Sequence, residues 1–481
     1  MTTHIPALVV GAGISGLVCG YALRRAGIDA QVVEASKRAG GLIRSERCEG
    51  YLLELGPQSF SGTAQLSELC RQLGIHEQLL DAPARAPRFL LLKGKLQPVP
   101  LSPPAFFASS LFRARTKWSL LRDVLGRSTP PTTDESMADF TRRKFTPELL
   151  EKLVGPFVSG IYAGDPEKLS LRAAFPQVYE AEKAAGSIVR GMVRLAKAKR
   201  KVATAKSSDA GSSEKARRTL QTFRDGNETL VRALAEALGP ALRTETCVSE
   251  IRRNSSSSGS PAAESFAVAL HSKRSVEEIV TGSLVLATPP DVTARLLASV
   301  SPEISSALGG IEHAPVAVVS LGYAQSAVGA SLEGFGFLIP RSEGRRTLGT
   351  VWNSSLFRGR ALAGHVLLTS FVGGATDPAA TALSERELAA LVHGEIAPVL
   401  QIQSNPAFSQ VTIYSRALPQ YNLGHTERLA TAEQAAAEIP GLFLAGNYWG
   451  GPAIGTCVEQ ALEVADLAGR RMERAAKAVR S

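Results

Sequence analysis

The chain has 481 residues, 44% of them apolar, which is long enough for two or three globular domains and excludes a disordered or fibrous protein. Lysine and arginine exceed aspartate and glutamate by 54 to 44, which gives a formal net charge of +10. The five cysteines are odd in number and form no C-x-x-C pair, which argues against a disulfide framework, a zinc site or an iron–sulfur site. We therefore expect a reducing compartment and no metal ion.

The N-terminal segment has the pattern of a dinucleotide-binding unit. A strand predicted at 7–10 is followed by G-x-G-x-x-G, by a helix predicted over 16–26, and by a second strand at 30–33 that ends at Glu34. The glycines are Gly11, Gly13 and Gly16. In such a unit they permit a tight turn, the approach of a pyrophosphate and close helix packing, respectively. The helix N-terminus favours the phosphates, and the acidic residue suits the ribose hydroxyls.

The residues after Glu34 discriminate between dinucleotides. Gly40 and Gly41 form a second glycine pair, flanked by Arg38 and Arg44. A glycine pair followed by an arginine resembles the signature of FAD oxidoreductases, whereas nicotinamide dehydrogenases usually need no such pair. FAD is therefore the first prediction and NAD the alternative.

The charge-free stretch 5–23 is not interpreted as a signal peptide or an anchor, because it lacks a basic n-region and its glycines suit the nucleotide loop. No other stretch reaches about 18 apolar residues, so no transmembrane helix is expected.

Two segments raise the question of a membrane surface. Residues 89–122 combine a hairpin with a proline-punctuated apolar stretch that is either interfacial or ordinary core. Its apolar side chains are Phe106, Phe107, Leu111, Phe112 and Trp118. Residues 190–218 hold much of the basic excess, as a solvated helix with a disordered loop or as a lipid-facing patch. Nucleic acid is not a predicted partner, because no aromatic residues interleave with these charges.

The second half of the chain predicts strands. They are expected at 247–252 and 266–271 around a serine-rich loop at 255–259, and at 283–288 before two prolines. Further apolar runs predict an antiparallel or mixed sheet from 316–322, 348–353 and 365–373.

The last informative block predicts a strand at 442–445, a glycine-rich loop at 446–455 and a helix from Thr456. Backbone amides at the start of this helix would stabilise the negative N1–C2=O edge of a reduced flavin. We interpret Cys457, at the start of the helix, as a packed small residue rather than a reactive thiol.

Blocks spread over nearly the whole chain resemble the protoporphyrinogen oxidases, oxygen-dependent flavoenzymes of haem biosynthesis. They are GAGISGL, EASKRAGGLIRS, ELGPQSF, SGIYAGDPEKLS, TFRDGNETL, GFGFLIP, FVGG, PQYNLGH and AGNY…GTCVE. The first two are shared with amine oxidases and phytoene desaturases. The combination of SGIYAGDPEKLS, GFGFLIP and PQYNLGH selects this family.

The resemblance implies an α/β fold of three parts. A Rossmann-like FAD domain of the glutathione-reductase type is expected from 1–56, 220–298 and 415–481. A mixed-sheet substrate domain is expected from 57–87 and 299–414. Residues 88–219 would form a mostly helical membrane-associating domain that ends in a basic flexible segment.

The resemblance also implies non-covalent FAD and the residues that bind it. Matches to the AMP and diphosphate contacts are Gly11, Ala12, Gly13, Ile14, Ser15, Gly16, Glu34, Ala35, Gly40, Gly41, Leu42 and Arg44. Matches to the segment under the flavin ring are Gly56, Pro57, Gln58 and Ser59. Val248 matches a strand residue near the adenine, and the C-terminal flavin loop is matched by Gly446, Pro452, Ala453 and Ile454.

For the substrate, Arg88 matches an arginine that pairs with a tetrapyrrole propionate, a role that suits its bidentate fork. Gly160 matches a glycine of the pocket wall. The positions that sandwich the substrate rings are matched by Phe335, Leu338, Val351 and Phe371.

The implied reaction removes six electrons from a porphyrinogen in three flavin cycles, with hydride transfer to flavin N5 and reoxidation by dioxygen to give hydrogen peroxide. No general base is nominated, because no Ser–His–Asp or paired-carboxylate pattern is present. The expected partners are the porphyrinogen, dioxygen and a membrane surface, with a homodimer as one candidate assembly. The expected location is cytoplasmic, peripherally at the inner face of the cell membrane.

Three alternatives stay open. The nearest is oxidation of coproporphyrinogen III, which carries four propionates where protoporphyrinogen carries two. The others are a flavin amine oxidase or carotenoid desaturase, and a non-catalytic carrier of FAD or porphyrin.

Overall fold

The computed structural model describes residues 2–100, 102–206, 219–254, 265–273 and 275–480. The predicted serine-rich loop and the end of the predicted basic segment, residues 207–218, lie outside these ranges.

The described residues form strands in this order: Thr2–Val10 (β1), Ala30–Val33 (β2), Ser45–Cys48 (β3), Tyr51–Glu54 (β4), Phe60–Ser61 (β5), Leu79–Asp81 (β6), Arg88–Leu92 (β7), Lys95–Pro98 (β8), Leu220–Phe223 (β9), Leu242–Arg243 (β10), Thr246–Asn254 (β11), Ser265–Ser272 (β12), Val276–Leu286 (β13), His313–Ala324 (β14), Gly336–Leu338 (β15), Thr347–Trp352 (β16), His365–Gly373 (β17), Phe408–Pro419 (β18) and Leu442–Leu444 (β19).

The helices follow in this order: Ile14–Arg25 (α1), Ala64–Gln72 (α2), Pro103–Ala108 (α3), Ala114–Leu125 (α4), Met137–Lys144 (α5), Pro147–Leu149 (α6), Gly155–Tyr162 (α7), Leu171–Ala174 (α8), Pro176–Ala185 (α9), Ile188–Lys206 (α10), Glu228–Leu238 (α11), Pro290–Leu296 (α12), Pro302–Gly309 (α13), Asn353–Leu356 (α14), Glu385–Leu400 (α15), His425–Ala437 (α16) and Ile454–Arg480 (α17).

The first sheet has the strand order β10-β2-β1-β13-β12-β11, and β19 also pairs with β13. Its centre is parallel, whereas β12 and β11 form an antiparallel ribbon. Residues on β1 alternate between two buried faces, with Val9 packed among α1, α11 and α17 and Leu8 among α12, α13 and α16. Burial on both faces explains why this strand is a continuous apolar run.

The second sheet has the order β18-β14-β17-β16-β15-β7-β8, and α15 packs against its buried face. Its pairs are antiparallel except for the parallel pair β15–β7, so the predicted mixed sheet is confirmed. The predicted strand at 365–373 has the bounds of β17.

Two predicted domain limits cut through this second sheet. Residues from 88 onward were expected in the helical part, but β7 and β8 join the sheet because β7 pairs with β15. The last residues of β18, expected in the FAD part, pair with β14. Both limits depend on pairing between strands that are far apart in the chain. The local sequence does not show which strands will pair.

The helices α3 to α10 form the layer beside this sheet. Phe106, Leu111 and Phe112 are buried there against Leu90 of β7, so the interfacial interpretation is wrong for these three side chains. Trp118 remains 67% exposed. Nowhere in the described ranges does a helix carry an apolar stretch long enough to cross a membrane.

Candidate active site

A groove of about 410 Å³ opens where β1 and β2 end and α1 begins. Most of the predicted cofactor residues line it, and they come from five separate segments of the chain. They are Gly11, Gly13, Ile14, Ser15, Glu34, Ala35, Gly40, Gly41, Leu42, Pro57, Val248, Gly446, Pro452 and Ile454. The fold therefore places the predicted residues in one groove, although they lie up to about 440 positions apart in the chain, from Gly11 to Ile454.

The three glycines of the first turn differ in what surrounds them. A Cβ at Gly11, where φ is +97°, would lie 2.8 Å from the carbonyl oxygen of Ala287. A Cβ at Gly16 would overlap the carbonyl oxygen of Gly11, so this glycine serves packing and does not line the groove. At Gly13 a Cβ would meet nothing within 4 Å and would project into open space. This space is the cradle that a pyrophosphate needs, so the residues present fit a dinucleotide.

Glu34 is held in place by the backbone. One carboxylate oxygen accepts a hydrogen bond of 2.8 Å from the N–H of Ala12, and the other accepts one of 2.9 Å from the N–H of Ser36. Ala12 itself does not line the groove. The fixed carboxylate keeps lone pairs that can accept the two ribose hydroxyls.

The glycine-pair loop is held by Arg38, a role that the sequence analysis missed. Its guanidinium donates to the carbonyl oxygens of Ala39 (2.6 Å), Gly41 (2.7 Å) and Ile43 (3.0 Å). The predicted diphosphate ligand Arg44 instead is exposed, pairs with Glu46 at 2.9 Å and does not line the groove. The available signal in the sequence was an arginine next to a glycine pair. A tight glycine turn directs its carbonyl oxygens inward, where an arginine side chain can bind them.

A second cavity, of about 710 Å³, continues from the groove. The two share five lining residues, which are Leu42, Pro57, Ala417, Leu418 and Pro452. Gly56, Gln58, Ser59 and Ala453 line this cavity rather than the groove, as do the predicted substrate residues Gly160, Phe335, Val351 and Phe371. The predicted flavin-ring residues and four of the six predicted substrate residues therefore lie around one space.

The wall of this cavity is apolar. None of the described lining residues carries a charged side chain, and the polar ones are Gln58, Ser59, Ser159, Tyr162, Gln177, Tyr414 and Thr456. Burial raises the pKa of Tyr162 to about 12, and its hydroxyl donates to the carbonyl oxygen of Ala174 at 2.9 Å. Burial likewise raises the pKa of Tyr414. Both phenols are therefore neutral near pH 7. The sequence analysis missed both of them.

Two predicted substrate residues lie outside this wall. Arg88 is exposed, and its guanidinium carbon lies 5.3 Å from the centre of the Phe335 ring, which lines the cavity. Leu338 packs with Leu90 and Phe106 and is not among the lining residues, so its contact with the substrate rings stays a prediction. Leu338 is opposite Gly349, which is opposite Phe371, so Leu338 shares a face of the sheet with a cavity residue, and its side chain lies next to Gly160.

A buried polar cluster lies beneath the segment 56–59. Glu54 and Arg360, each at most 2% exposed, form an ion pair of 2.9 Å. The same carboxylate accepts from the N–H of Asn227 at 2.9 Å and from the hydroxyl of Ser45 at 2.6 Å. Burial raises the pKa of Glu54, and the Arg360 guanidinium opposes that shift.

The cluster extends directly to the cavity floor. The Asn227 amide donates to the carbonyl oxygen of Pro57 at 2.7 Å. Gln58 donates to the carbonyl oxygens of Glu54 and Gly56, and accepts from Asn353 at 2.7 Å. These bonds fix the backbone of the segment from below.

A larger groove of about 760 Å³ lies between α16, β19 and α17. It contains none of the predicted site residues. The meeting of predicted residues, rather than volume, therefore identifies the candidate site.

Known proteins are similar to this chain over nearly its whole length. The family model for flavin-containing amine oxidoreductases matches residues 14–472. A chloroplastic protoporphyrinogen oxidase from Nicotiana tabacum is 35% identical, over 96% of this chain and 85% of the relative. A coproporphyrinogen III oxidase from Bacillus subtilis is 28% identical, over 94% and 95%. A crystal structure from Exiguobacterium sp. 255-15 has a TM-score of 0.77 at 24% identity and covers 97% of this chain and 98% of its own.

The structural likeness supports the fold, and the sequence matches extend over nearly the whole chain. They also support FAD as the cofactor and oxidoreduction as the reaction type. The chain belongs to the flavin-containing amine oxidoreductase family, in the branch that includes the protoporphyrinogen and coproporphyrinogen III oxidases.

Proposed function

We propose that this protein oxidises protoporphyrinogen IX to protoporphyrin IX, with FAD in the groove and the macrocycle in the cavity that continues from it. Dioxygen is the proposed final acceptor. The proposal is supported by the 35% identity to the Nicotiana tabacum enzyme and by an apolar cavity of about 710 Å³ beside the nucleotide groove. Bound FAD would supply the hydride acceptor.

The observation that carries the choice of substrate is the uncharged wall of the cavity. A charged carboxylate is costly to remove from water unless it is paired. A macrocycle with two propionates can direct them toward Arg88 and solvent. The four propionates of coproporphyrinogen III would bring at least some charge against apolar side chains. This difference favours the two-propionate substrate, although a relative with the other activity is 28% identical.

The chain's own residues would mainly orient the substrate and exclude water. Phe335, Val351 and Phe371 offer flat or branched apolar surfaces, and the backbone of Gly160 forms part of the same wall. Among the described lining residues there is no histidine, aspartate or glutamate that could act as a general base. We therefore assign catalysis to positioning of the substrate against the flavin.

We also propose peripheral membrane contact at the mouth of the cavity, on the inner face of the cell membrane. Ile161 and Met192 line the cavity and yet are exposed, and the exposed Phe157 lies one helical turn from Ile161. On α4, Trp118 and Leu125 are exposed beside Arg115 and Arg122. Apolar side chains with nearby arginines suit an anionic lipid surface.

The membrane proposal is tested by flotation with vesicles that contain anionic lipid. The parent protein should float at low salt, and the double variant Phe157→Ser/Ile161→Ser should not. A matched control is Val276→Ser, which changes an exposed apolar residue on β13 of the first sheet. Equal flotation of all three proteins would contradict this assignment.

The substrate proposal is tested by oxygen uptake of the purified FAD protein with each porphyrinogen. We expect a higher kcat/KM with protoporphyrinogen IX, and anaerobic bleaching of the flavin by that substrate. A clear preference for coproporphyrinogen III would overturn the choice. Absence of bleaching with both would favour a carrier, and turnover of an amine or polyene alone would favour the more distant oxidases.

A further inference from the structure

The block PQYNLGH, residues 419–425, helped to select the family but had no assigned role in the site. In the structure, its Tyr421 and His425 are 1% and 2% exposed. Their rings stack with centroids 4.2 Å apart and planes 18° apart. Neither residue lines the nucleotide groove or the substrate cavity.

The two side chains form hydrogen bonds to consecutive backbone carbonyls of another segment. The Tyr421 hydroxyl donates to the carbonyl oxygen of Asn447 at 2.7 Å. The His425 Nε2 lies 2.9 Å from the carbonyl oxygen of Tyr448. Because a carbonyl oxygen only accepts, Nε2 must carry the hydrogen. Burial lowers the pKa of His425, which favours the neutral ring with this tautomer.

The segment that receives these bonds belongs to the cofactor site. It follows β19, and Gly446 and Asn447 line the nucleotide groove. Gly446 has φ of +152°, and a Cβ there would lie 2.6 Å from the ring of the buried Tyr448. The course of this loop is therefore unusual, and few conformations satisfy its packing.

The same block also contacts the substrate cavity from behind. The ring of Tyr421 lies 5.5 Å from that of Tyr162, a cavity residue on α7. The neighbouring Gln420 donates to the carbonyl oxygen of Tyr162 at 2.9 Å. The block thus connects a wall of the substrate cavity to the loop of the nucleotide groove.

We propose that Tyr421 and His425 are positioning residues, which hold the peptide groups of Asn447 and Tyr448 so that the loop 446–451 is shaped to receive FAD. They act through the loop and do not touch the cofactor. The stacked pair fixes the orientations of these two peptide groups before FAD binds. The loop therefore loses less conformational entropy when FAD binds. This inference rests on the proposed placement of FAD, but not on the identity of the substrate.

The test measures FAD release from the loaded protein by flavin fluorescence on serial dilution. Tyr421→Phe removes only the hydroxyl, and we expect FAD to dissociate at about tenfold higher protein concentration. His425→Leu should have a similar effect. His425→Gln retains an N–H donor at the end of its side chain and should recover most of the affinity.

Tyr323→Phe is the matched control. Its buried hydroxyl lies 3.0 Å from His393 Nδ1 in the core of the second sheet, away from both cavities. This variant should lose thermal stability comparably but keep the parent affinity for FAD. Far-UV circular dichroism of each loaded variant establishes that it is folded.

Parent affinity in both Tyr421→Phe and His425→Leu would overturn the inference. An equal loss in Tyr323→Phe would also overturn it, because the effect would then be one of general stability. If His425→Leu does not fold, Tyr421→Phe decides alone. No porphyrinogen is used in this experiment, so failure of the proposed reaction leaves its outcome unaffected.

Discussion

The nucleotide groove and the substrate cavity share five lining residues, yet they are built in different ways. The groove consists largely of backbone, from glycine turns at the ends of parallel strands. The cavity consists of side chains from α7, α9 and the second sheet, together with the shared loops. A site made of backbone restricts which residues can occupy its positions, whereas a site made of side chains can change its specificity without changing its scaffold.

The largest expected effect concerns the buried pair that lies beneath both regions. Arg360→Met leaves the Glu54 carboxylate buried without its cation, and we expect a loss of about 3–5 kcal/mol in the free energy of unfolding. Urea unfolding of the FAD-loaded protein measures it. Arg142→Met removes an exposed pair with Glu167 and should cost at most about 1 kcal/mol. Equal losses would show that the buried pair contributes no more to stability than the exposed one.

The next effect separates the two kinds of glycine in the turn between β1 and α1. Gly16→Ala forces a clash with the Gly11 carbonyl, and we expect poor folding of the protein even when FAD is in excess. Gly13→Ala places a methyl group in open space, so the fold should survive while FAD retention falls about 100-fold. Thermal unfolding and flavin release measure the two effects. Full FAD retention in Gly13→Ala would contradict the proposed pyrophosphate cradle.

The third effect should be confined to the substrate cavity. Arg88→Ala removes the proposed propionate partner, and we expect KM to rise about 10- to 100-fold with little change in kcat. Arg85→Ala, at a nearby exposed position, should leave KM unchanged. Steady-state oxygen uptake measures both variants. Unchanged kinetic constants in Arg88→Ala would make the propionate assignment wrong.

The smallest effect tests how far the cavity wall can adapt. A methyl group in Gly160→Ala would lie 2.6 Å from Leu338 Cδ2, the end of a flexible side chain. We expect KM to rise about fivefold, which corresponds to about 1 kcal/mol, with unchanged FAD release. Adding Leu338→Ala should recover much of the loss. A larger change in FAD release than in KM would mean that this wall belongs to the cofactor site.

The two regions also differ in how well they could be predicted. The unit from Gly11 to Glu34 is contiguous, and its roles follow from local backbone geometry, so the sequence alone indicated the groove. The cavity residues Phe335, Val351 and Phe371 could be named only through the family resemblance, because apolar residues on strands are usually core. Leu338 shows the risk, since it lies only three positions from Phe335 in the chain and yet packs with Leu90 and Phe106 and is not among the lining residues.

Residues that act by holding the backbone of a loop were the hardest to predict. Arg38 holds the carbonyls of its own loop, and Tyr421 and His425 hold those of a loop some 25 residues away. The contacts of Arg38 depend on the turn that its own loop adopts, and those of Tyr421 and His425 depend on where two separate chain segments meet. The burial of Phe106 and Phe112 was decided in the same way, by the placement of β7 beneath them.

The sequence by itself determined that the chain binds a dinucleotide, because glycine spacing and an acidic residue encode the backbone shape that this requires. Blocks spread along the chain then indicated the family. Only the tertiary structure decided which wall faces the substrate, which arginine supports a loop and where the hairpin at 88–98 belongs. The wall and the hairpin arise from pairing and packing between segments far apart in the chain, whereas the role of Arg38 depends on the folded shape of its own loop.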